Sequence, residues 1–217
     1  MRSTSGPVVN RTRSIGARTI RFHGRESVDM KMTAIEKHFV NSREHRLQVA
    51  HRAQGLLGRI DIRAGWRYLD VGCGVGAGCE IAAGCGLDVT GIDVDPEQIE
   101  VARVAHPHLR FVVMNATKLL FHDAEFDIVA TSMATHHMPD WEGAFHEMIR
   151  VLRAGGYLIY SDLMLPSRLA AVGRRLMPFV GFPSTKLVES LASEAGLTKV
   201  YQSRGGLRSD FIMLRNS

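Results

Sequence analysis

The strongest indication of the fold is the run Tyr68-Leu-Asp-Val-Gly-Cys-Gly-Val-Gly-Ala-Gly78. Its apolar start predicts a buried strand, its glycines predict a tight turn, and its end favours the start of a helix. Gly72, Gly74 and Gly76 would let the backbone approach a ligand and would place N–H groups at the positive end of that helix. Asp70 adds a carboxylate at the carboxyl end of the strand, which suits a cationic ligand group better than a diphosphate.

A second acidic position ends the next apolar run, Gly91-Ile-Asp-Val-Asp-Pro96. In doubly wound sheets an acid at this place hydrogen-bonds the hydroxyls of a ribose, because it projects over the crevice beside the glycine turn. Helix capping is the competing role for Asp93, but Asp95, directly before Pro96, already fills it. The sequence therefore predicts that Asp93 binds the ribose of a nucleoside.

From residue 65 onward, short apolar runs alternate with helix-like segments, which predicts an α/β fold with parallel strands and right-handed crossovers. The predicted strands are 67–71, 88–92, 109–114, 126–131 and 157–161, and the predicted helices between them are 76–83, 96–105 and 141–152. A helix from residue 184 or 185 to 195 then precedes strands 197–202 and 211–214, joined across Arg204-Gly205-Gly206. The expected fold is a doubly wound, mostly parallel seven-stranded sheet that ends in an antiparallel hairpin.

Charge and periodicity divide the chain into three parts. Six of the 27 basic residues lie in residues 1–25, which hold no acid, so 21 basic residues face 22 acidic ones in the remainder. Residues 1–28 are interpreted as a flexible basic arm, with an organelle transit peptide as the alternative. Residues 29–64 are predicted to form an N-terminal helical cap, as one long helix or as two with a break near Asn41-Ser42. Residues 65–217 form the main domain.

Composition excludes several classes of protein. The hydrophobic content of 45% and the charged content of 23% are those of a globular chain. No apolar stretch approaches the roughly 20 residues of a spanning helix. The three cysteines, Cys73, Cys79 and Cys85, offer neither a zinc-binding pattern nor an even disulfide framework. We therefore expect a cytoplasmic protein without a metal site.

The glycine turn also satisfies a dinucleotide-binding fingerprint, as Gly72-x-Gly74-x-x-Ala77. Asp70 ahead of the glycines, the third glycine at position 76, the short chain and the lack of a Tyr-x-x-x-Lys pair argue against NAD or FAD. An NAD-dependent oxidoreductase remains an alternative. A non-catalytic, nucleoside-binding regulatory module is another.

Four motifs together resemble the class I S-adenosylmethionine-dependent methyltransferases of the small-molecule "type 11" kind. They are Leu69-Asp-Val-Gly-Cys-Gly-Val-Gly76, Thr90-Gly-Ile-Asp-Val-Asp95, Phe126-Asp-Ile-Val129 and Arg150-Val-Leu-Arg-Ala-Gly-Gly156. The resemblance implies a Rossmann-like fold, S-adenosyl-L-methionine as cofactor, and transfer of its methyl group to a small organic acceptor by in-line displacement.

The resemblance also implies roles for individual residues. The methionine moiety would contact Asp70 and the glycines, the ribose Asp93, and the adenine ring Val94. Asn115 stands where this family usually has an acid, so it becomes the candidate for the adenine amino group. The complete set of implied cofactor-binding residues is Asp70, Gly72, Cys73, Gly74, Gly76, Asp93, Val94, Asn115, Ala116 and Ser132.

In this family the loop after the fourth strand faces the sulfonium and the acceptor, and here it holds His136 and His137. Both are candidate catalytic residues, as a general base or as a group that orients the acceptor, because imidazole titrates near neutrality. Their alternative role is to shape the loop before Asp140, which is predicted to cap the next helix.

Nucleic-acid substrates are disfavoured, because the main domain has no basic stripe, no Asn-Pro-Pro-aromatic run after the fourth strand and no Pro-Cys nucleophile. An RNA methyltransferase that uses the basic arm is a further alternative. The apolar segments 29–60 and 166–182 could cover the crevice and favour a hydrophobic acceptor, quinone-like or lipid-like. Arg168, Arg174 and Arg175 would instead contact an anionic one, or form a solvated helix face.

Overall fold

The protein is described by a computed structural model over residues 19–22, 25–28, 41–177 and 180–217. Most of the predicted arm and the first part of the predicted helical cap, residues 29–40, lie outside these ranges. Two short strands, β1 (Thr19–Phe22) and β2 (Arg25–Val28), pair antiparallel within the segment interpreted as the arm. This pair was not predicted.

The main sheet has seven strands, in the spatial order β5-β4-β3-β6-β7-β9-β8. They are β3 (Arg67–Val71), β4 (Asp88–Asp93), β5 (Arg110–Val113), β6 (Phe126–Ser132), β7 (Leu152–Leu163), β8 (Leu197–Gly205) and β9 (Arg208–Arg215). The strands from β3 to β7 pair parallel, and β9 pairs antiparallel with both β7 and β8. The predicted doubly wound sheet with a terminal hairpin is confirmed.

In the described part of the chain, six α-helices pack against this sheet. They are α1 (Arg43–Leu57), α2 (Ala77–Gly84), α3 (Pro96–Ala105), α4 (Trp141–Val151), α5 (Ser167–Leu176) and α6 (Thr185–Glu194). Ser42 caps α1 by accepting from the His45 amide at 3.2 Å, so the predicted break near Asn41-Ser42 is the start of a helix. Asp95 and Asp140 cap α3 and α4 as expected. Among the described residues, none of the helices has the length and apolar character that a bilayer crossing requires.

Two apolar clusters hold the helices against opposite faces of the sheet. One contains Trp141 of α4 and Val188 of α6, and the other contains Leu57 of α1 and Ile99 of α3. Successive residues of a strand face opposite sides, so Leu69 enters the first cluster while its neighbour Tyr68 enters the second. Asp70 consequently lies on the side of the sheet that α1 covers.

Three strands are clearly longer than predicted. β7 begins directly at the end of α4, five residues earlier than expected, and its register against β6 shifts between the pairs Phe126–Leu152 and Ile128–Tyr157. Gly155 and Gly156 lie within this irregularity. The hairpin between β8 and β9 turns at Gly206-Leu207, later than expected, so both strands are longer.

Arg150 of α4 fastens the loop that follows β5. Its guanidinium donates to the carbonyl oxygens of Phe121 at 3.0 Å and Leu119 at 2.9 Å, and to the Glu147 carboxylate at 2.7 Å. Glu147 in turn accepts from the Leu119 amide at 2.8 Å. The loop that Arg150 holds begins directly after Asn115 and Ala116 of the predicted cofactor site.

Replacing Arg150 with Met should lower the free energy of unfolding by about 2 kcal/mol, because two carbonyl oxygens and the carboxylates of Glu147 and Asp123 lose a charged donor. Urea unfolding measures this change. Arg110→Met, at an exposed position of β5, is the matched control and should change stability by less than about 0.5 kcal/mol. Equal effects of the two substitutions would contradict the fastening role.

Candidate functional site

The glycine turn after β3 is tied to the end of β4. The amides of Gly72 and Cys73 both donate to the Ile92 carbonyl, at 2.8 and 2.9 Å, and the Gly74 amide donates to the Asp93 carboxylate at 3.0 Å. These N–H groups are used inside the turn and are not the free donors that the sequence predicted. The turn therefore contributes to a ligand site by allowing the ligand to approach its backbone closely.

Gly72 is the position at which that approach is tightest. Its φ of +76° belongs to the left-handed region, and a Cβ there would lie 2.4 Å from the Ala134 Cβ. Ala134 belongs to the loop after β6. The cofactor turn and the predicted acceptor loop are therefore in direct contact.

Asp93 lies at the end of β4, half-buried, where the sequence predicted a ribose ligand. One carboxylate oxygen accepts from the Gly74 amide and the other from the Asp95 amide at 2.9 Å. Burial raises the pKa of Asp93 in spite of these hydrogen bonds. A carboxylate has about four acceptor sites, so two hydroxyl groups could still bind.

A cavity of about 90 Å³, open to solvent, lies at the carboxyl edge of the sheet. The predicted residues that line it are Gly72, Asp93, Val94, Ala116, Ser132 and His137. The remaining lining residues are Ile92, Asp95, Met114, Met133, Ala134, Met138 and, from α1, His45.

Asn115 is not among the residues that line this cavity. Its amide oxygen accepts from the backbone and the hydroxyl of Thr117, at 2.9 and 3.0 Å. Its neighbours Met114 and Ala116 do reach the cavity. The predicted adenine contact of Asn115 would therefore compete with a local turn.

Asp70 lines a smaller cleft below the main cavity, and Ser132 belongs to both. The Asp70 carboxylate is 6% exposed and accepts from the Cys79 thiol at 3.3 Å. Burial raises its pKa to about 6, and the charge of Asp93 adds to the increase. A bound cation would lower the pKa of Asp70 again, because it would offset both the burial and the charge of Asp93.

The hydroxyl oxygen of Ser132 is buried and has no hydrogen-bond partner among the described residues. It lies between the Asp70 cleft and the main cavity. Buried polar groups are almost always paired, so an orphan at this point fits a site that a polar ligand completes. The site thus suits a ligand with a cationic group near Asp70 and a ribose at Asp93.

The loop after β6 is held by a residue that sequence reasoning missed. Asp162 of β7 is fully buried, and its carboxylate binds His136 Nδ1 at 2.5 Å and the Thr135 hydroxyl at 2.5 Å. Burial alone would raise the pKa of Asp162, but the hydrogen bond and charge of His136, with the Thr135 donor, lower it. The carboxylate is therefore ionised and fixes the orientation of His136.

The two predicted catalytic histidines take different places. Their ring centroids are 4.0 Å apart, His137 lines the main cavity, and His136 is not among the lining residues.

Of the three arginines that were predicted to contact an anionic acceptor, the two with described side chains do not line the main cavity. Arg168 lines a separate cleft near Pro166 and Lys186, Arg175 is exposed, and the side chain of Arg174 is outside the described part.

A glycine turn and an acid at the carboxyl edge of a doubly wound sheet are typical of a nucleoside-binding α/β domain. Residues 69–160 match the methyltransferase domain family. Over this stretch the chain is similar to the class I S-adenosylmethionine-dependent methyltransferases, and the match supports S-adenosylmethionine as the cofactor. The orphaned Ser132 hydroxyl and the two buried carboxylates fit that cofactor, which has a cationic methionine end and a ribose.

Known proteins support this assignment. Methyltransferase GfsG of Streptomyces halstedii is 34% identical over 61% of this chain and 50% of its own length. The 2-methyl-6-phytyl-1,4-hydroquinone methyltransferase of Synechocystis is 34% identical over 59% of this chain and 41% of its own. The PH0226 protein of Pyrococcus horikoshii has the same fold, with a TM-score of 0.68 and 24% identity over 82% of this chain and 93% of that one. The chain matches about half or less of the length of these two curated relatives.

The affinity for S-adenosylhomocysteine should fall about five-fold between pH 6 and pH 5, because Asp70, with its pKa of about 6, becomes protonated and no longer attracts the ammonium group. Calorimetric titration at several pH values measures this dependence. In Asp70→Asn binding should be weaker throughout and its fall over this interval clearly shallower, any remaining slope being that of Asp93. An equally steep fall in Asp70→Asn would contradict the role of Asp70.

Proposed function

We propose that this protein transfers a methyl group from S-adenosylmethionine to a small organic acceptor. The observation that carries the proposal is that one cavity joins the ribose acid Asp93 and the turn at Gly72 to the acceptor loop with Ser132 and His137. When bound, the cofactor supplies an electrophilic methyl group on a sulfonium. An in-line displacement depends mainly on orientation, and this cavity borders on both reactants.

The cofactor is held mainly by two carboxylates. Asp70 attracts the methionine ammonium, and Asp93 accepts hydrogen bonds from the ribose. The glycine turn, made of Gly72, Cys73, Gly74 and Gly76, gives the methionine moiety room beside the backbone. Val94 and Ala116 form the apolar walls for adenine, and Ser132 donates to the ligand with its unpaired hydroxyl. The amide oxygen of Asn115 accepts from the adenine amino group after one of its two hydrogen bonds from Thr117 breaks.

His137 is the residue placed to accept a proton from the acceptor, because it lines the cavity and an imidazole can act as a base near neutrality. His136 stacks against it and has Nδ1 engaged by Asp162. His136 is thus a positioning residue, and His137 is the candidate catalytic residue.

The acceptor is a small molecule that is hydrophobic in part. Met133, Ala134 and Met138 give the cavity an apolar side, and one relative is named for a phytyl hydroquinone. Helix α1, the described part of the helical cap, lies over the Asp70 cleft. A reducing cytoplasm suits the two buried thiols, Cys73 and Cys79.

Asp93→Ala should weaken S-adenosylhomocysteine binding by about 1.5–3 kcal/mol, the cost of losing hydrogen bonds to a charged group. The matched control is Asp88→Asn, an exposed acid at the other end of the same strand, which should leave the affinity unchanged. Unchanged affinity in Asp93→Ala would contradict the ribose assignment.

Methyl transfer itself is measured with labelled S-adenosylmethionine and a panel of phenols, quinols, amines and carboxylic acids. Product should form with at least one class in the wild type and should decline in Asp93→Ala. Cofactor binding without product across the whole panel would favour a nucleoside-binding regulatory module.

A further inference from the structure

A second set of charged residues lies between α1 and the terminal hairpin, beside the cofactor site. Arg52 of α1 places its Nε atom 3.5 Å from the carboxylate of Asp210 on β9. Arg208, two residues before Asp210, projects from the same face of that strand. Asp210 also accepts from the hydroxyls of Ser161 at 2.6 Å and Ser203 at 2.8 Å.

Positive charge is in excess in this cleft. Among the described residues that line it, Asp210 is the one acid, whereas Arg52, Arg59 and Arg208 are basic. Arg59 lies over the ring of Tyr201, 4.1 Å from its centroid, and is engaged by that contact. The one carboxylate among these lining residues is thus paired with Arg52 and already accepts from two serine hydroxyls.

Arg208 shows the imbalance most directly. Its Nε atom is buried and has no hydrogen-bond partner among the described residues. A guanidinium presents five donors in a fixed fork, and a buried donor without an acceptor costs free energy. An external acceptor would remove that cost.

The electrostatics of the neighbouring groups agree with this geometry. Burial and then the charge of Arg208 lower the pKa of Arg52, although Asp210 acts in the opposite direction. The pKa of His45 is lowered first by burial and then by Arg208 and Arg52. His45 lines the cofactor cavity, so the excess positive charge extends to that cavity.

The lining residues form a continuous series. Arg52 belongs to this cleft and to the cleft that holds Asp70, and Ser132 joins the latter to the main cavity. Ser161, which binds Asp210, lines the Asp70 cleft as well. The Asp70 cleft itself is the place of the cofactor's ammonium group. An acceptor in the main cavity would therefore reach Arg52 and Arg208 past His45, on which the charges of both arginines act.

We infer that the methyl acceptor carries an anionic group, a carboxylate or a phosphate, and that Arg208 and Arg52 bind it. This inference rests on the proposed function and identifies the chemical class of its substrate. Guanidinium groups match the geometry of both oxyanions, and the unpaired Nε of Arg208 supplies the first donor. These two arginines take the role that the sequence suggested for Arg168, Arg174 and Arg175.

The test is calorimetric titration of the protein, saturated with S-adenosylhomocysteine, with inorganic phosphate, benzoate and the neutral analogue benzamide. At least one of the two anions should bind more tightly than benzamide. Phosphate binding alone would support an acceptor with a phosphate ester, and benzoate binding alone would support a carboxylic acid. If neither anion binds, the inference is wrong.

Arg208→Gln should weaken anion binding about ten-fold or more, since a charged hydrogen bond is lost. Arg208→Lys should recover part of the affinity, because the charge remains without the fork. The control is Arg46→Gln, an exposed arginine on the same helix as Arg52, which should have no effect. A loss in Arg46→Gln equal to that in Arg208→Gln would show nonspecific screening and contradict the inference.

Two further measurements distinguish a failure of this inference from a failure of the proposed function. The affinity for S-adenosylhomocysteine should stay within about two-fold in all variants, whereas failure of the wild type to bind it would contradict the proposed function instead. The thermal midpoint of Arg208→Gln should equal or exceed that of the wild type, because an uncompensated charge has been removed. A large fall in that midpoint would assign Arg208 a structural role and overturn the inference.

Discussion

The architecture of the site depends on the hydrogen bonds that join the end of β4 to the glycine turn after β3. The Ile92 carbonyl accepts from two consecutive amides of that turn, and Asp93 accepts from a third. These bonds hold the carboxyl ends of two neighbouring parallel strands together. They place Asp93 at the rim and leave space for a ligand above the turn. Gly72 is required there, because a side chain would collide with Ala134.

Charge explains how this site can hold a cationic nucleoside. Asp70 and Asp93 are both partly or fully removed from water, and burial raises the pKa of each. Two carboxylates in such surroundings are costly without a cation, and the ammonium of the cofactor would offset that cost. Positive charge is in excess instead around Arg52 and Arg208, which line a cleft where Asp210 is the one acid among the described lining residues. The two halves of the crevice are thus suited to ligands of opposite charge.

Local sequence determines the features that could be predicted. The turn, the strand ends around it and the cap at Asp95 follow from glycine spacing, apolar runs and one Asp-Pro pair, and the structure has all of them. The Asp162 contact with His136 could not be predicted, because it depends on how β7 lies beside the loop after β6. The pairing of α1 with β9 through Arg52 and Asp210 joins distant parts of the chain, which no local pattern encodes. The adenine contact of Asn115 stays a prediction, and its bonds to Thr117 were not foreseen.

The most direct test of the account is a parallel calorimetric titration of the wild-type protein with S-adenosylmethionine, S-adenosylhomocysteine and NAD. The arrangement of Asp70, the glycine turn and Asp93 predicts that the first two bind and that NAD does not. Binding of NAD alone would contradict the account and would assign the glycine turn to a dinucleotide.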